Sequence, residues 1–545
     1  MNKTIKILLI ASVLFSGIAA VTVTNEKLFE ISKNLEIFIS AYKELNTNFV
    51  DDLDPSIMMR TAIDAMTNSL DPYTNFISES QAESYWINDD EKYQGIGARV
   101  GLIKDKFTII EPYEAGPAAL AGLKAGDEII AVNGVNIEGK KLNEINAVLR
   151  GIPGTEVNIL LRPYNENTVV QKKLIRGEVN IPNVPYSGFV KDDIGYISLT
   201  VFTANASRNI TRALQELKEK NPNLAGVILD LRQNGGGLLQ EAVSICNIFV
   251  PNGEVVVTTK SKIKERDQTF KTMAPAVDLE IPLAVLIDGK SASASEIVSG
   301  VIQDFDRGVL IGQRSYGKGL VQNVKDLPYN SRLKITISKY YIPSGRCIQG
   351  VEYANGEPKD IPDNLRSEFK TRAGRIVLDG GGVSPDIKMG VPKLYPVTKA
   401  LLDQHLIFDF ANNYIRTHDS IRSVEDFNFE KYDEFVAYTF QKKFTYKLAS
   451  EEMLDKMKED AATSNDKEVL IAEMNILEQK IKNTKQNDFV EAKAQIIIEL
   501  EKEIISRYFY KKGKVQITLD RDPEVREAID ILRDTNRYKK ILSAK

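Results

Sequence analysis

Histidine is nearly absent from this chain of 545 residues: there are two, His405 and His418, both far downstream in a polar, helix-like stretch. Any hydrolase built on this sequence therefore needs a base other than imidazole, and a desolvated lysine is the natural substitute, since burial disfavours its charged form. Cysteine is as scarce, with Cys246 and Cys347 alone. Two cysteines without nearby histidines cannot build a zinc site, so no metal is indicated. Cys246 lies in the apolar run Ala242-Val243-Ser244-Ile245-Cys246 and reads as core. A disulfide with Cys347 is the competing reading in an oxidising compartment. Charge of one sign is also missing: 71 basic side chains face 75 acidic ones, for a net charge of −4. That balance excludes the basic footprint of a nucleic-acid binder.

Long hydrophobic runs are absent beyond the first residues. Lys3 and Lys6 precede an apolar run from Ile7 to Phe15 and the small residues Ser16-Gly17-Ile18-Ala19-Ala20. This is the pattern of a signal peptide over residues 1–20, with an uncleaved membrane anchor as the alternative. Either way the body is expected to be exported, in the periplasm or anchored to the inner membrane facing it. A helical segment over 25–92 follows. There Leu28, Ile31, Leu35, Phe38, Tyr42, Leu45 and Phe49 recur at alternating steps of three and four, a narrow apolar seam suited to packing within the subunit or to a homodimer.

From 93 to 178 the pattern changes to short strands broken by glycine turns. Gly122-Leu123-Lys124-Ala125-Gly126-Asp127-Glu128-Ile129-Ile130-Ala131-Val132-Asn133-Gly134 reads as turn, strand and tight turn, before a helix over Asn143 to Arg150 and a strand over Val157 to Arg162. This stretch resembles a PDZ domain. Such a module adds a peptide tail to a sheet edge and holds its terminal carboxylate on backbone N–H groups. The loop Gly95-Ile96-Gly97-Ala98 is the candidate for that task, with Arg150 as a candidate for charge complementarity.

Residues 179–394 alternate buried-looking strands with helices. Gly195-Tyr196-Ile197-Ser198-Leu199 and Gly226-Val227-Ile228-Leu229-Asp230-Leu231 flank a helix from about Ser207 to Lys220, a βαβ unit. Beyond, over 395–545, the chain is Lys/Glu-rich and helical. Apolar faces there are marked by Met474, Leu477 and Ile481 and by Ile497, Leu500 and Ile504, and the expected role is structural.

Three segments of the central region supply parts of an acyl-transfer site. Ser293, within Ser291-Ala292-Ser293-Ala294-Ser295-Glu296, precedes a helix-like run and is the candidate nucleophile, with Ser291 and Ser295 as rivals. Lys318, in Tyr316-Gly317-Lys318-Gly319, is the candidate base, and Gln322 the candidate orienter of its amine. A free lysine has a pKa of about 10.4, so poising it near neutrality takes roughly 4 kcal/mol, within reach of burial. Asp230-Leu231-Arg232-Gln233-Asn234-Gly235-Gly236-Gly237 follows a buried strand. Gly236, among three glycines, is the candidate oxyanion donor together with the N–H of Ala294.

These three motifs together resemble the carboxyl-terminal processing (tail-specific) peptidases, serine–lysine endopeptidases with an inserted PDZ domain. The segments Leu70-Asp71-Pro72-Tyr73-Thr74 and Tyr341-Ile342-Pro343-Ser344-Gly345-Arg346 match as well. The resemblance spans about residues 30–395. It implies a multidomain α/β fold with a crotonase-like protease core, and a Ser293–Lys318 dyad with Gln322 acting on protein or peptide C-terminal tails without a cofactor. The tail from about 395 to 545 departs from the shorter members of the family, and the insertion Val351 to Ile376 in the core is unplaced. Two other readings fail on the residues. Gly312 to Lys318 imitates a phosphate loop, but Gly319 replaces the Ser or Thr that would hold magnesium. A His–Asp-assisted serine would need a histidine upstream. The remaining rival is a catalytically inactive relative that only binds peptides or other ligands; the presence of Ser293, Lys318 and Gln322 argues against it.

Overall fold

The computed structural model describes residues 27–79, 92–191, 193–350, 353–354, 357–358, 362–461, 467–485 and 487–544. The leader over 1–20 and part of the Val351 to Ile376 insertion lie outside the described residues. The chain divides into two compact units, residues 1–76 and 77–545.

The first unit contains a helix over 27–48 and a second helix, Pro55–Asn68. The second starts where it does because Asp54 caps it, its Oδ1 accepting from the N–H groups of Ser56 at 2.7 Å and Ile57 at 3.2 Å, with Pro55 at the first helical position. Tyr42 donates to the Pro55 carbonyl at 2.7 Å and so ties the two helices. The seam on the first helix is exposed at Leu28, Ile31, Leu35 and Leu45, and Phe49, just past the helix, is exposed as well.

The second unit opens with a β-sheet module. Its strands run in the order Ala98–Ile103, Lys106–Pro112, Glu128–Val132, Glu156–Arg162 and Val170–Ile175, all antiparallel. The helix Leu142–Leu149 covers it, burying Ile145 and Leu149 against Ile96, Ile109, Val157 and Ile159. Strand Ala98–Ile103 lies at the sheet edge, next to that helix.

The central sheet is ordered Tyr186–Lys191, Ile194–Ser198, Gly226–Asp230, Leu283–Ile287, Val309–Gly312, Ile387–Lys388. The first pair is antiparallel and the rest parallel. Side chains alternate across it as strand geometry requires. Val227, Leu229, Leu283, Val285 and Ile287 face the helices Ala206–Lys220, Leu239–Phe249 and Ala294–Asp304. Ile228, Ala284, Leu286, Val309 and Ile311 face the other way, against Val525, Ala528, Ile529 and Leu532 of the late helix Pro523–Arg533. Parallel sheets need both faces covered, and here the second cover comes from the far end of the chain. A further antiparallel sheet includes Val255–Ser261, Gln268–Lys271, Leu320–Asp326 and Arg332–Tyr341.

After residue 395 the chain is helical, as its pattern predicts. Leu500 and Ile504 of helix Lys493–Gln516 are buried with Phe410 and Phe435 in a separate core, whereas Leu477 is exposed. Cys246 is fully buried, and neither it nor Cys347 forms a disulfide. No helix among the described residues is long and apolar enough to cross a membrane.

Candidate active site

Two loops leave neighbouring parallel strands at the same end of the central sheet, residues 231–238 after Gly226–Asp230 and 288–293 after Leu283–Ile287. They are joined by buried side chains. Asp288 Oδ1 accepts from the Gln233 N–H at 3.0 Å and the Ser291 N–H at 3.1 Å. The Asn234 carbonyl accepts from the Ala292 N–H at 3.0 Å and from the Ser295 hydroxyl at 2.9 Å. Asn234 is anchored in turn by its Nδ2, which donates to the Leu199 carbonyl at 2.8 Å.

This joining separates the three candidate serines. Ser291 and Ser295 are both 0% exposed, their hydroxyls donating to the backbone carbonyls of Leu231 and Asn234 at 2.9 Å each. They are structural. Ser293 instead lines a cavity of about 550 Å³ together with Lys318, Gln322, Gly236 and Ala294. Its backbone sits at φ 56°, ψ −114°, at the start of helix Ala294–Asp304. A left-handed φ on a non-glycine residue is strained by about 1–3 kcal/mol and persists only where the surroundings over-determine it.

Glu296 and Tyr340 do so. Glu296 is wholly buried one turn into the helix. Its Oε2 accepts from the backbone N–H of Ser293 and from that of Lys318, each at 2.8 Å, so one oxygen ties both residues. Its Oε1 accepts from the Ser315 hydroxyl at 2.6 Å and the Gly317 N–H at 2.7 Å. Burial pushes this carboxyl up to about 7, against the pull of the Ser315 hydroxyl and the three N–H groups. On the opposite side the Tyr340 hydroxyl bonds the carbonyls of Ser293, at 3.2 Å, and of Lys318. Both peptide groups of each residue are thus gripped by the same two side chains. The Ser-x-x-Glu spacing of a capping box was the legible signal for Glu296; nothing local in the sequence marks Tyr340.

Gln322 lines the same cavity from strand Leu320–Asp326, its Nε2 donating to Thr336 Oγ1 at 3.3 Å. Ala294 opens the helix, where backbone N–H groups lack intrahelical acceptors. The donor role expected of Gly236 does not fit the structure: its N–H donates to Asn234 Oδ1 at 2.9 Å. What Gly236 supplies is space. At φ +99°, a Cβ there would meet the Ala292 carbonyl oxygen at 2.7 Å, Ser293 Cβ at 2.8 Å and Ala294 N at 2.9 Å.

In the β-sheet module, Gly95, Ile96, Gly97 and Ala98 enter the edge strand alongside the end of helix Leu142–Leu149. Gly95 bridges to Arg150, so the five residues expected together are neighbours. One correction applies. The Ile96 N–H donates to the Leu149 carbonyl at 3.2 Å and its side chain is fully buried, so it is committed to holding the loop and cannot serve a ligand carboxylate.

Residues 193–355 match the profile of Peptidase family S41, residues 108–163 that of the PDZ domain, and residues 397–532 that of "Probable PDZ-protease, C-terminal helical domain". The chain is 34% identical to the carboxy-terminal-processing protease of Bartonella bacilliformis over 334 residues, 61% of this chain and 76% of the relative. It is 31% identical to a "Probable CtpA-like serine protease" of Staphylococcus aureus over 425 residues, 74% of this chain and 84% of the relative. Among solved structures, the photosystem II D1 C-terminal processing protease is 25% identical, at a TM-score of 0.37, over 65% of this chain and 92% of its own. The protein is a serine protease that carries a PDZ domain. The chain belongs to peptidase family S41, among the carboxy-terminal-processing proteases.

Proposed function

We propose that the protein cleaves polypeptides by a Ser293–Lys318 dyad after its PDZ domain has captured their C-terminal tails. The observation that carries this reading is the cavity: of the three serines in the motif only Ser293 lines it, and Lys318 and Gln322 line it too. Lys318, in its uncharged form, takes the hydroxyl proton as Ser293 Oγ attacks the scissile carbonyl. The N–H of Ala294 at the helix start stabilises the resulting oxyanion. Protonated Lys318 then gives its proton to the leaving amine as the C–N bond breaks, and water attacks the acyl-enzyme with Lys318 again as base. The bond from Gln322 Nε2 to Thr336 supports Gln322 as orienter by fixing its carboxamide.

Tail capture is supported by strand Ala98–Ile103, whose one strand neighbour among the described residues is Lys106–Pro112, leaving the other side for an added peptide strand. Gly97, Ala98 and Arg150 are the candidate carboxylate contacts. The test is cleavage of a flexible protein with an apolar C-terminus by the parent, Ser293→Ala and Lys318→Ala. Loss of at least 10³-fold in each variant is expected. Variants as fast as the parent would overturn the dyad, and a parent without activity would favour the pure binding protein. Deleting the PDZ domain separates gating, which predicts unregulated cleavage, from delivery, which predicts its loss.

Two further proposals concern the N-terminus. The exposed apolar seam on the helix over 27–48 supports a homodimer. Lys3, Lys6 and the apolar run after them support export to the periplasm, with the leader cleaved or kept as an anchor. Fractionation and N-terminal sequencing of the cellular protein test the latter.

A further inference from the structure

The end of the chain reaches the catalytic loops. Arg232 leaves the central strand two residues after Asp230. Its Nε and Nη2 contact the Asp230 carboxylate at 3.0 and 2.6 Å, while the Tyr196 hydroxyl donates to the same carboxylate at 2.6 Å. Its Nη1 points the other way, to Asp522 Oδ2 at 2.8 Å and Glu524 Oε2 at 2.6 Å. Those two carboxylates belong to the start of helix Pro523–Arg533, about 290 residues away in sequence. Glu524 also takes a bond from Gln313 Nε2. All four charged side chains are largely shielded from solvent. Burial alone would disfavour the Arg232 cation, but the carboxylates of Asp230 and Asp522 outweigh it and hold the guanidinium's pKa above its ordinary value.

The packing of helix Pro523–Arg533 does not require these charges, because Val525, Ala528, Ile529 and Leu532 already bury its apolar face on the sheet. The loop does have a use for them. Arg232 precedes Gln233, held at φ 60° with its N–H on Asp288, and then Asn234. Asn234 grips the Gly236 N–H, the Ala292 N–H and the Ser295 hydroxyl, on both sides of Ser293. Asp230 holds the guanidinium through Nε and Nη2, and Asp522 and Glu524 hold its remaining nitrogen, Nη1, so the start of this loop is tied to the sheet on one side and to the late helix on the other.

We propose that Asp522 and Glu524 are positioning residues for the reaction: through Arg232 they hold the glycine loop that backs Ser293, so the C-terminal segment is part of the catalytic apparatus. The proposal rests on the reading of Ser293 as nucleophile. It is tested on the full chain with Asp522→Asn/Glu524→Gln. Asp522 Oδ1 also caps the helix, accepting from the N–H groups of Glu524 and Val525, and asparagine keeps that acceptor while losing the charge. The readouts are kcat and KM for a fluorogenic peptide with an apolar C-terminus, normalised to folded protein by circular dichroism. A displacement near 1 Å at such a site lowers kcat by about 100-fold. The expected result is therefore a 10- to 100-fold fall in kcat per folded molecule, with KM within about twofold of the parent. The control is Asp534→Asn, which alters the cap of the next helix, Thr535–Leu542, and should leave kcat intact. A kcat within about twofold of the parent in the double variant, or an equal loss in the control, would overturn the proposal. Should the double variant not fold, Glu524→Gln alone is read by the same criteria. Failure of the dyad itself would show separately, as activity surviving in Ser293→Ala.

Discussion

Two of the molecule's glycine loops, one entering the edge strand of the PDZ sheet and one leaving an interior strand of the central sheet, are held in different ways. The loop before strand Ala98–Ile103 is fastened by backbone: Ile96 N–H to Leu149, Tyr113 N–H to the Gly97 carbonyl, and Ala118 N–H to the Ile96 carbonyl. The loop that backs Ser293 is fastened by buried side chains, among them Asn234, Asp288, Ser295 and, through the helix, Glu296. Side-chain networks specify one geometry because leaving any member unpaired in a low-dielectric interior is costly. The difference fits the two tasks. A reacting hydroxyl tolerates little displacement, whereas strand addition uses backbone groups that any bound sequence presents.

If that contrast is right, the largest effect should come from crowding the catalytic loop. Gly236→Ala is expected to lower kcat by more than about 10³-fold, because a Cβ would meet two backbone atoms and the Cβ of Ser293 itself, none of which can give way without moving the nucleophile. Gly289→Ala, in the neighbouring loop, where a Cβ meets only the Arg314 carbonyl oxygen at 3.9 Å, should stay within about twofold. Equal kinetics for the two would remove the distinction between a spacer and an ordinary turn.

Glu296→Gln comes next. The amide retains one acceptor oxygen where the carboxylate presents two, each serving two donors. A fall in kcat of about 100-fold is expected from misplacing Ser293 and Lys318, measured on protein shown to be folded. This carboxyl also gives a signed pH test. Its folded value of about 7 lies above the ordinary 4.5, so folding takes up a proton between those values. The stability it contributes is fully present below about pH 4.5 and lost as pH rises through 7. In chemical denaturation, the parent should lose up to about 3 kcal/mol more than Glu296→Gln between pH 4.5 and pH 8. Parallel pH profiles would count against a buried, titrating Glu296.

A smaller effect is expected at the PDZ loop. Gly97 has φ +71°, and a Cβ there would meet Pro117 Cδ and Val179 Cγ2 at 2.9 Å. Gly97→Val should raise KM about 10-fold for substrates with an apolar tail, while kcat for a short untailed peptide holds. A matching loss on both substrates would mean that the two loops are not separable. Least of all, Leu35→Asp on the exposed seam should leave kcat unchanged and, for the proposed homodimer, lower the sedimentation coefficient to that of a monomer; equal sedimentation of the two would count against that dimer.

Sequence by itself determined what depends on neighbours along the chain. The βαβ unit, the helix expected over Asn143 to Arg150 and found at Leu142–Leu149, and the helical character beyond 395 follow from local periodicity and turn residues. Ser293, Lys318 and Gln322 stood out because their motifs are short and chemically specific. Tertiary structure decided what depends on distant partners. It left Ser293 on the cavity by burying Ser291 and Ser295 against carbonyls of another loop, and it showed Gly236 as a spacer once Asn234 had taken its N–H. It also laid a helix from the end of the chain on the bare face of the central sheet, bringing Asp522 and Glu524 to Arg232. The physical reason is range. Propensity and capping act within a turn or two, whereas which polar group finds which partner is settled only when the chain closes around its core.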